Sequence, residues 1–290
     1  MPLTHNRIFR VRYYECDANG HLNNANYLRY MQETAFDATA AAGYSVERYH
    51  ELGGTWLART SQIEFLLPLK YNDQIQVTTW LADFRRVSCR RMYEFNIQGT
   101  GELAARAFTD WAYIDTENGK PAKIPGEMVS AFFPEGVPQE FPKRERIPEQ
   151  PPPPAGIFKM QRPVEWCDLD QMRHVNNAKY LNYITECGMQ VIKAHGWPWD
   201  RMKELDFAIF IRRLQVQYLQ PALANDVLEI GTWASNIRRS TADRYYTIRR
   251  VSDNSLLAKS NAYSVWVDLK NNRPIRIPEE LLEDFSPNIL

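Results

Sequence analysis

His21-Leu22-Asn23-Asn24-Ala25-Asn26-Tyr27-Leu28 returns as His174-Val175-Asn176-Asn177-Ala178-Lys179-Tyr180-Leu181, an offset of 153 residues (174 minus 21). The same offset carries Asp17 to Asp170, Tyr30 to Tyr183, Glu33 to Glu186 and Gly43 to Gly196. Further on it carries Pro68 to Pro221, Asp73 to Asp226, Trp80 to Trp233 and Arg85-Arg86 to Arg238-Arg239. Near the ends it carries Asp115 to Asp268, Pro121 to Pro274 and Ile124-Pro125 to Ile277-Pro278. One ungapped register over so long a span marks an internal duplication. Between the copies, Pro151-Pro152-Pro153-Pro154 lack backbone donors and favour a stiff, extended spacer. The expected organisation is a first domain over 1–146, a linker over 147–156 and a second domain over 157–290.

Each copy reads in the same order. An opening strand near Ile8–Glu15 leads to a polar turn at Asp17-Ala18-Asn19-Gly20, then a helix from about Asn24 to Ala42 closed by Gly43. The apolar residues of that helix, among them Leu28, Met31, Ala35, Phe36 and Ala38, predict burial on several sides. Four strands follow, over Gln62–Leu67, Gln74–Ala82, Cys89–Ile97 and Ala104–Ile114, separated by Pro, Asn-Asp and Gly-containing turns. The second copy repeats them at Arg213–Leu219, Val227–Ala234, Asp243–Val251 and Leu257–Val267. The predicted class is α+β, an antiparallel sheet wrapped around one long helix in each copy. A single curved sheet leaves a strand edge exposed, so the two copies are expected to pair as an intramolecular pseudo-dimer, with a homo-oligomer as a further option.

Composition excludes several function classes. The 290 residues carry 35 Lys+Arg against 35 Asp+Glu, which gives no field for nucleic-acid or membrane binding. No apolar run approaches the ~18–20 residues of a membrane span, and the start lacks a signal-peptide core, so a cytoplasmic location is expected. Cys16, Cys89, Cys167 and Cys187 are then reduced thiols. None forms a CxxC or zinc-type spacing, so neither a metal nor another cofactor is expected.

The stretches Tyr13-Tyr14-Glu15-Cys16-Asp17-Ala18-Asn19-Gly20, Asn26-Tyr27 and Pro68 to Asp73 resemble the 4-hydroxybenzoyl-CoA branch of the hotdog-fold thioesterases. In the second copy, Trp166-Cys167-Asp168-Leu169-Asp170-Gln171-Met172-Arg173-His174-Val175-Asn176-Asn177 is more similar to acyl-ACP thioesterases of the plant type, themselves tandem hotdogs. The resemblance implies hydrolysis of acyl-CoA or acyl-ACP thioesters, with a loop aspartate as nucleophile or general base. That role falls on Asp17 and, by the repeat, on Asp170. The acyl-ACP pattern Asp-x-Asn-x-His is complete as Asp17, Asn19 and His21, but the second copy has Asp170, Met172 and His174. The Glu-Cys pair that this branch carries after the helix is replaced by Pro221-Ala222.

These residue types suit the chemistry. A carboxylate activates water or attacks the carbonyl, an imidazole orients by hydrogen bonding, and N–H groups at the helix start, near Asn24, Ala25 and Asn177, meet the oxyanion. Simpler readings stand beside these: an Asx turn for Asp17, structural histidines, asparagine helix caps, and structural hydrogen bonds for Glu33 and Glu186. Arg85, Arg86, Arg90, Arg91, Arg238 and Arg239 are assigned to hairpin turns, where guanidinium groups suit the phosphates of the carrier. Met31 and Phe36 are expected to line the acyl group. A hydratase or dehydratase on acyl thioesters, or a thioester-binding protein without activity, are the competing functions.

Overall fold

The computed structural model describes residues 1–141, 143–144 and 147–290. The chain divides into two compact units, Met1–Ile147 and Pro148–Leu290. The expected end of the first domain at residue 146 lies outside the described residues.

The first unit runs β1 (Thr4–Arg10), α1 (Asn24–Ala41), α2 (Val46–Glu51), β2 (Gly54–Phe65), β3 (Gln74–Phe84), β4 (Ser88–Ile97), β5 (Leu103–Asp115) and α3 (Gly126–Phe132). All strand pairs are antiparallel, in the order β1-β3-β4-β5-β2. The second unit repeats this as β6 (Phe158–Pro163), α4 (Asn177–Ala194), α5 (Trp199–Glu204), β7 (Phe207–Tyr218), β8 (Val227–Ser235), β9 (Thr241–Arg250), β10 (Leu256–Asp268), β11 (Arg273–Pro274) and α6 (Glu279–Phe285). Its order is β6-β8-β9-β10-β7, with β11 added to β10.

The long helices start and stop where local chemistry directs. Asn23 Oδ1 accepts from the Ala25 N–H, and Asn176 Oδ1 from that of Ala178, both at 3.0 Å. Gly43 and Gly196 end the helices at φ 87° and 82°, a conformation that favours glycine. In α1, Tyr27, Leu28, Tyr30, Met31, Ala35 and Ala38 are buried, each large apolar side chain contributing about 1.5–3 kcal/mol. The helix rests on β1 and β3, with Phe9 stacked on Tyr30 at 4.2 Å and Tyr27 against Phe95 at 5.2 Å.

Several expectations need correction. The opening strand is Thr4–Arg10, and Tyr13–Glu15 forms a short 3-10 turn instead of continuing it. β2 and β7 begin well before Gln62 and Arg213, because their pairing with β5 and β10 supplies partners that the local sequence does not announce. The long helix is not buried all round: Glu33, Phe36 and Ala40 form an exposed strip. The short helices α2, α3, α5 and α6 were not expected.

Candidate active site

The loop between the 3-10 turn and α1 is built around Asp17. Its Oδ1 accepts from the N–H groups of Asn19 at 2.8 Å and His21 at 3.2 Å, its N–H donates to the His21 carbonyl at 2.7 Å, and its carbonyl accepts from Gly20. This is an Asx turn with an exposed carboxylate, so the simpler reading of Asp17 describes its geometry. It also fixes one carboxylate oxygen and leaves the other for chemistry. Asp170 repeats the arrangement: Oδ1 accepts from Met172 N–H at 2.9 Å, and the Asp170 N–H donates to the His174 carbonyl at 2.9 Å. In both copies it is the backbone N–H of residue 19 or 172 that donates to the aspartate, and Met172 supplies it as well as Asn19 does.

His21 and His174 are half-buried, each bridged to the segment before the next strand, His21 with Lys70 and His174 with Leu223. Burial lowers the His21 pKa, the Asp17 charge opposes that, and the Lys70 charge adds to it. His21 is therefore neutral at pH 7, a donor and acceptor for orienting rather than a standing charge.

The oxyanion expectation changes at one residue. The Ala25 N–H is already engaged by Asn23 Oδ1, as that of Ala178 is by Asn176, so Ala25 has no donor to give. Asn24 and Asn177, first in their helices, retain N–H groups without an intrahelical acceptor.

Glu15 and Asp168 are a buried pair of carboxylates that the motif reading passed over. They are 153 residues apart, 7% and 1% exposed. Tyr30 Oη donates to Glu15 at 2.6 Å, and Tyr183 Oη to Asp168 at 2.7 Å. Asp168 also meets Lys179 at 3.1 Å. Burial would raise the Asp168 pKa, but the bonds from Tyr183, the Glu165 N–H and Lys179 outweigh it and hold the carboxyl below its usual range. These groups tie the loop to the helix. The repetition of Tyr30 as Tyr183 was the available signal.

The remaining assignments divide. Arg85, Arg86, Arg238 and Arg239 are exposed in the hairpins after β3 and β8, as expected. Within the first unit this hairpin lies beyond Phe84, at the opposite end of β3 from the Asp17 loop, which Arg10 and Val11 join near Gln74. Arg90 and Arg91 are not in a turn but inside β4. Arg90 makes a bidentate pair with Asp110 at 2.7 and 2.8 Å, and Arg91 is buried on the inner face of β4, so neither is presented at a turn to the phosphates of a carrier. Met31 lies buried under the helix, whereas Phe36, 47% exposed, is on the opposite face and does not line the space between helix and sheet. Glu33 pairs with Arg7 at 3.3 Å, and Glu186 accepts from Gln190 at 2.9 Å; both are exposed.

The four cysteines are free, and burial pushes the Cys89 and Cys187 thiols up to about 12, which removes them as nucleophiles. Among the described residues, Glu165, Cys167 and Asp168 are the grouping whose ligand atoms fall within 4.8 Å of one another. Asp168 is already neutralised by Lys179 and Tyr183 there, so the set does not suit a cation. No helix among the described residues is long and apolar enough to cross a membrane.

The chain is 26% identical over 187 residues to an acyl-[acyl-carrier-protein] hydrolase of Cuphea viscosissima, covering 61% of this chain and 45% of the relative. It is 25% identical to a palmitoyl-acyl carrier protein thioesterase of Cuphea hookeriana with the same coverage. It thus spans about half the length of the curated relatives it matches. Among solved structures, a putative oleoyl thioesterase from Lactobacillus plantarum superposes with a TM-score of 0.74 at 16% identity, covering 96% of this chain and 98% of that one. A 12:0-ACP thioesterase from Umbellularia californica gives 0.72 at 17% identity, covering 90% and 93%. These likenesses show the fold, a tandem hotdog of the α+β class. The model of the thioesterase-like superfamily matches twice, over residues 11–132 and 164–285, and the chain therefore belongs to the thioesterase-like superfamily.

Proposed function

We propose that the protein is a thioester hydrolase that releases free acid and thiol from acyl-CoA or acyl-carrier-protein substrates. The observation that carries this reading is the Asp17 turn: an exposed carboxylate locked by two N–H groups immediately before α1, whose inner face is buried. A thioester is already activated, so such a site needs little more than a carboxylate and donors for the developing oxyanion. Asp17 supplies the first as general base or nucleophile. The Asn24 N–H, with the dipole of α1 behind it, supplies the second. His21 and Asn19 orient the reacting groups. The exposed Arg238 and Arg239 remain candidates for the phosphates of the carrier, whereas Arg85 and Arg86, at the end of β3 away from Asp17, do not serve the Asp17 site in that role.

Thiol release from a panel of acyl-CoA and acyl-carrier-protein substrates tests this. Hydrolysis liberates thiol, whereas hydration or simple binding does not. Turnover with any member of the panel is the expected result; no thiol from any of them overturns the reading.

A further inference from the structure

The buried face of the first unit carries a set of unpaired polar groups at the end remote from Asp17. Side chains along β4 alternate, so Cys89, Arg91, Tyr93 and Phe95 share the face on which Phe95 meets Tyr27 of α1. Arg91 is 4% exposed and has no hydrogen-bond or ion-pair partner among the described residues; its guanidinium lies 5.5 Å from the Phe132 ring centroid. The hydroxyls of Tyr93 and Tyr49 and the Trp111 indole N–H are also buried without a well-formed hydrogen bond, Tyr93 standing beside Trp111 and Thr109 and Tyr49 beside Trp56. Both hydroxyls are within electrostatic reach of Arg91, and Trp111 sits beside Tyr93. Burial pushes both phenols up to about 12, so they stay protonated.

An uncompensated buried guanidinium with three idle donors is expensive to keep. The second unit shows that the fold can supply an acceptor for it. Its counterpart Arg244 donates to Asn288 Oδ1 at 3.1 Å. Where the repeat would place Asn288, the first unit has Glu135, which instead pairs with the N-terminal ammonium at 2.6 Å. Among the described residues the donor set in the first unit thus has no acceptor, and one can come from a ligand. The set carries a full positive charge, and a carboxylate is the group that both neutralises that charge and matches the guanidinium fork. Between the Asp17 loop and Arg91 this face carries Tyr27, Met31, Ala35 and Ala38 of α1 and Phe95 and Tyr93 of β4, the side chains that an acyl chain lying along α1 would have to part.

We propose that Arg91, with Tyr49, Tyr93 and Trp111, is a subsite for a carboxylate at the far end of the acyl chain, so that the preferred substrates are thioesters of dicarboxylic acids. This rests on the thioester-hydrolase reading. The test uses non-hydrolysable pantetheine thioethers, S-alkyl against S-(ω-carboxyalkyl) of equal chain length, titrated calorimetrically into the whole protein. The ω-carboxylate is expected to bind about 10–100-fold more tightly. Arg91→Met is expected to bring the ratio to about one without lowering the melting temperature, since it removes an unpaired buried charge; Tyr49→Phe is expected to shrink the ratio less. Should Arg91→Met fail to fold, the wild-type ratio and Tyr49→Phe decide. Equal or tighter binding of the plain alkyl compound overturns this proposal and leaves the thioester-hydrolase reading standing. Binding of neither compound, together with no thiol release from any acyl thioester, overturns both.

Discussion

The Tyr30 hydroxyl donates to the Glu15 carboxylate at 2.6 Å, fastening α1 to the loop that carries Asp17. The other contacts of Glu15 reinforce that tie: its carboxylate accepts from the Arg12 N–H at 2.8 Å, and its carbonyl from Asn26 Nδ2 at 2.8 Å and the Asn23 N–H at 2.9 Å. Tyr30→Phe removes one bond to a charged, buried acceptor and should destabilise the protein by about 1.5–3 kcal/mol in urea unfolding. It should also lower turnover, because the Asp17 turn loses its anchor. A stability change below about 0.5 kcal/mol would assign the anchoring to the backbone bonds alone.

Asp168 makes the equivalent anchor sensitive to acid. Its carboxyl is held below the ordinary value of 3.8, so its stabilisation is fully present above that pH and is lost as pH falls through the depressed folded value. Lys179, at 3.1 Å, supplies part of the depression. Lys179→Met should therefore lower stability at neutral pH and flatten the acid limb of a plot of urea midpoint against pH. An unchanged limb would show that Tyr183 and the Glu165 N–H account for the whole effect.

Gly156 abuts the C-terminal segment that supplies an acceptor to Arg244. A Cβ there would lie 2.2 Å from the Pro287 carbonyl oxygen, and Asn288, the acceptor for Arg244, donates to the Gly156 carbonyl at 3.1 Å. Gly156→Ala should cost about 1–3 kcal/mol as an overpacking change. Hydrogen exchange should show it as loosening of residues 286–290; an unaltered exchange pattern would contradict this.

What could be read from the residues alone was what local chemistry marks. Asn23 and Gly43 bracket α1, Asn176 and Gly196 bracket α4, and the fixed offset doubles the signal. Partners distant in sequence were not legible. Arg90 finds Asp110 on the neighbouring strand, which turns an apparent hairpin arginine into a paired strand residue. Arg91 lies one residue further and so faces the opposite side, a difference that depends on strand register. Phe36 counted as apolar, but Glu33 and Ala40 on the same helix face are exposed with it. Glu15 and Asp168 escaped notice because the two copies differ in residue type, although Tyr30 and Tyr183 do not.

The charges around His21 give a titration test. Burial lowers its pKa below 6.5, Asp17 raises it and Lys70 lowers it. The depressed value means that the unfolded chain binds the proton more readily, so the contribution of His21 to stability is present above pH 6.5 and is lost as pH falls below it. Followed by NMR, the imidazole should titrate at higher pH in Lys70→Met and at lower pH in Asp17→Asn. Shifts of the opposite sign would mean that neither group faces the ring as the loop geometry requires.

Asp17→Asn separates the two roles that the structure gives this residue. Asparagine keeps Oδ1, so the bonds from the Asn19 and His21 N–H groups survive and the turn should hold. What disappears is the negative charge and the second oxygen, the atom left to take a proton from water or attack the thioester. Loss of a general base reduces rate by about 10²–10⁴-fold, and that drop in kcat with an unchanged melting temperature is the expected outcome. Asp170 holds the same turn, but the side chain that follows is Met172, whose thioether is a weak acceptor and orients water poorly. Asp170→Asn should accordingly cost less than Asp17→Asn. Met172→Asn should leave the second turn intact, since only the backbone N–H of residue 172 enters it. A large loss from Asp170→Asn with none from Asp17→Asn would invert the assignment and make the second copy the working site.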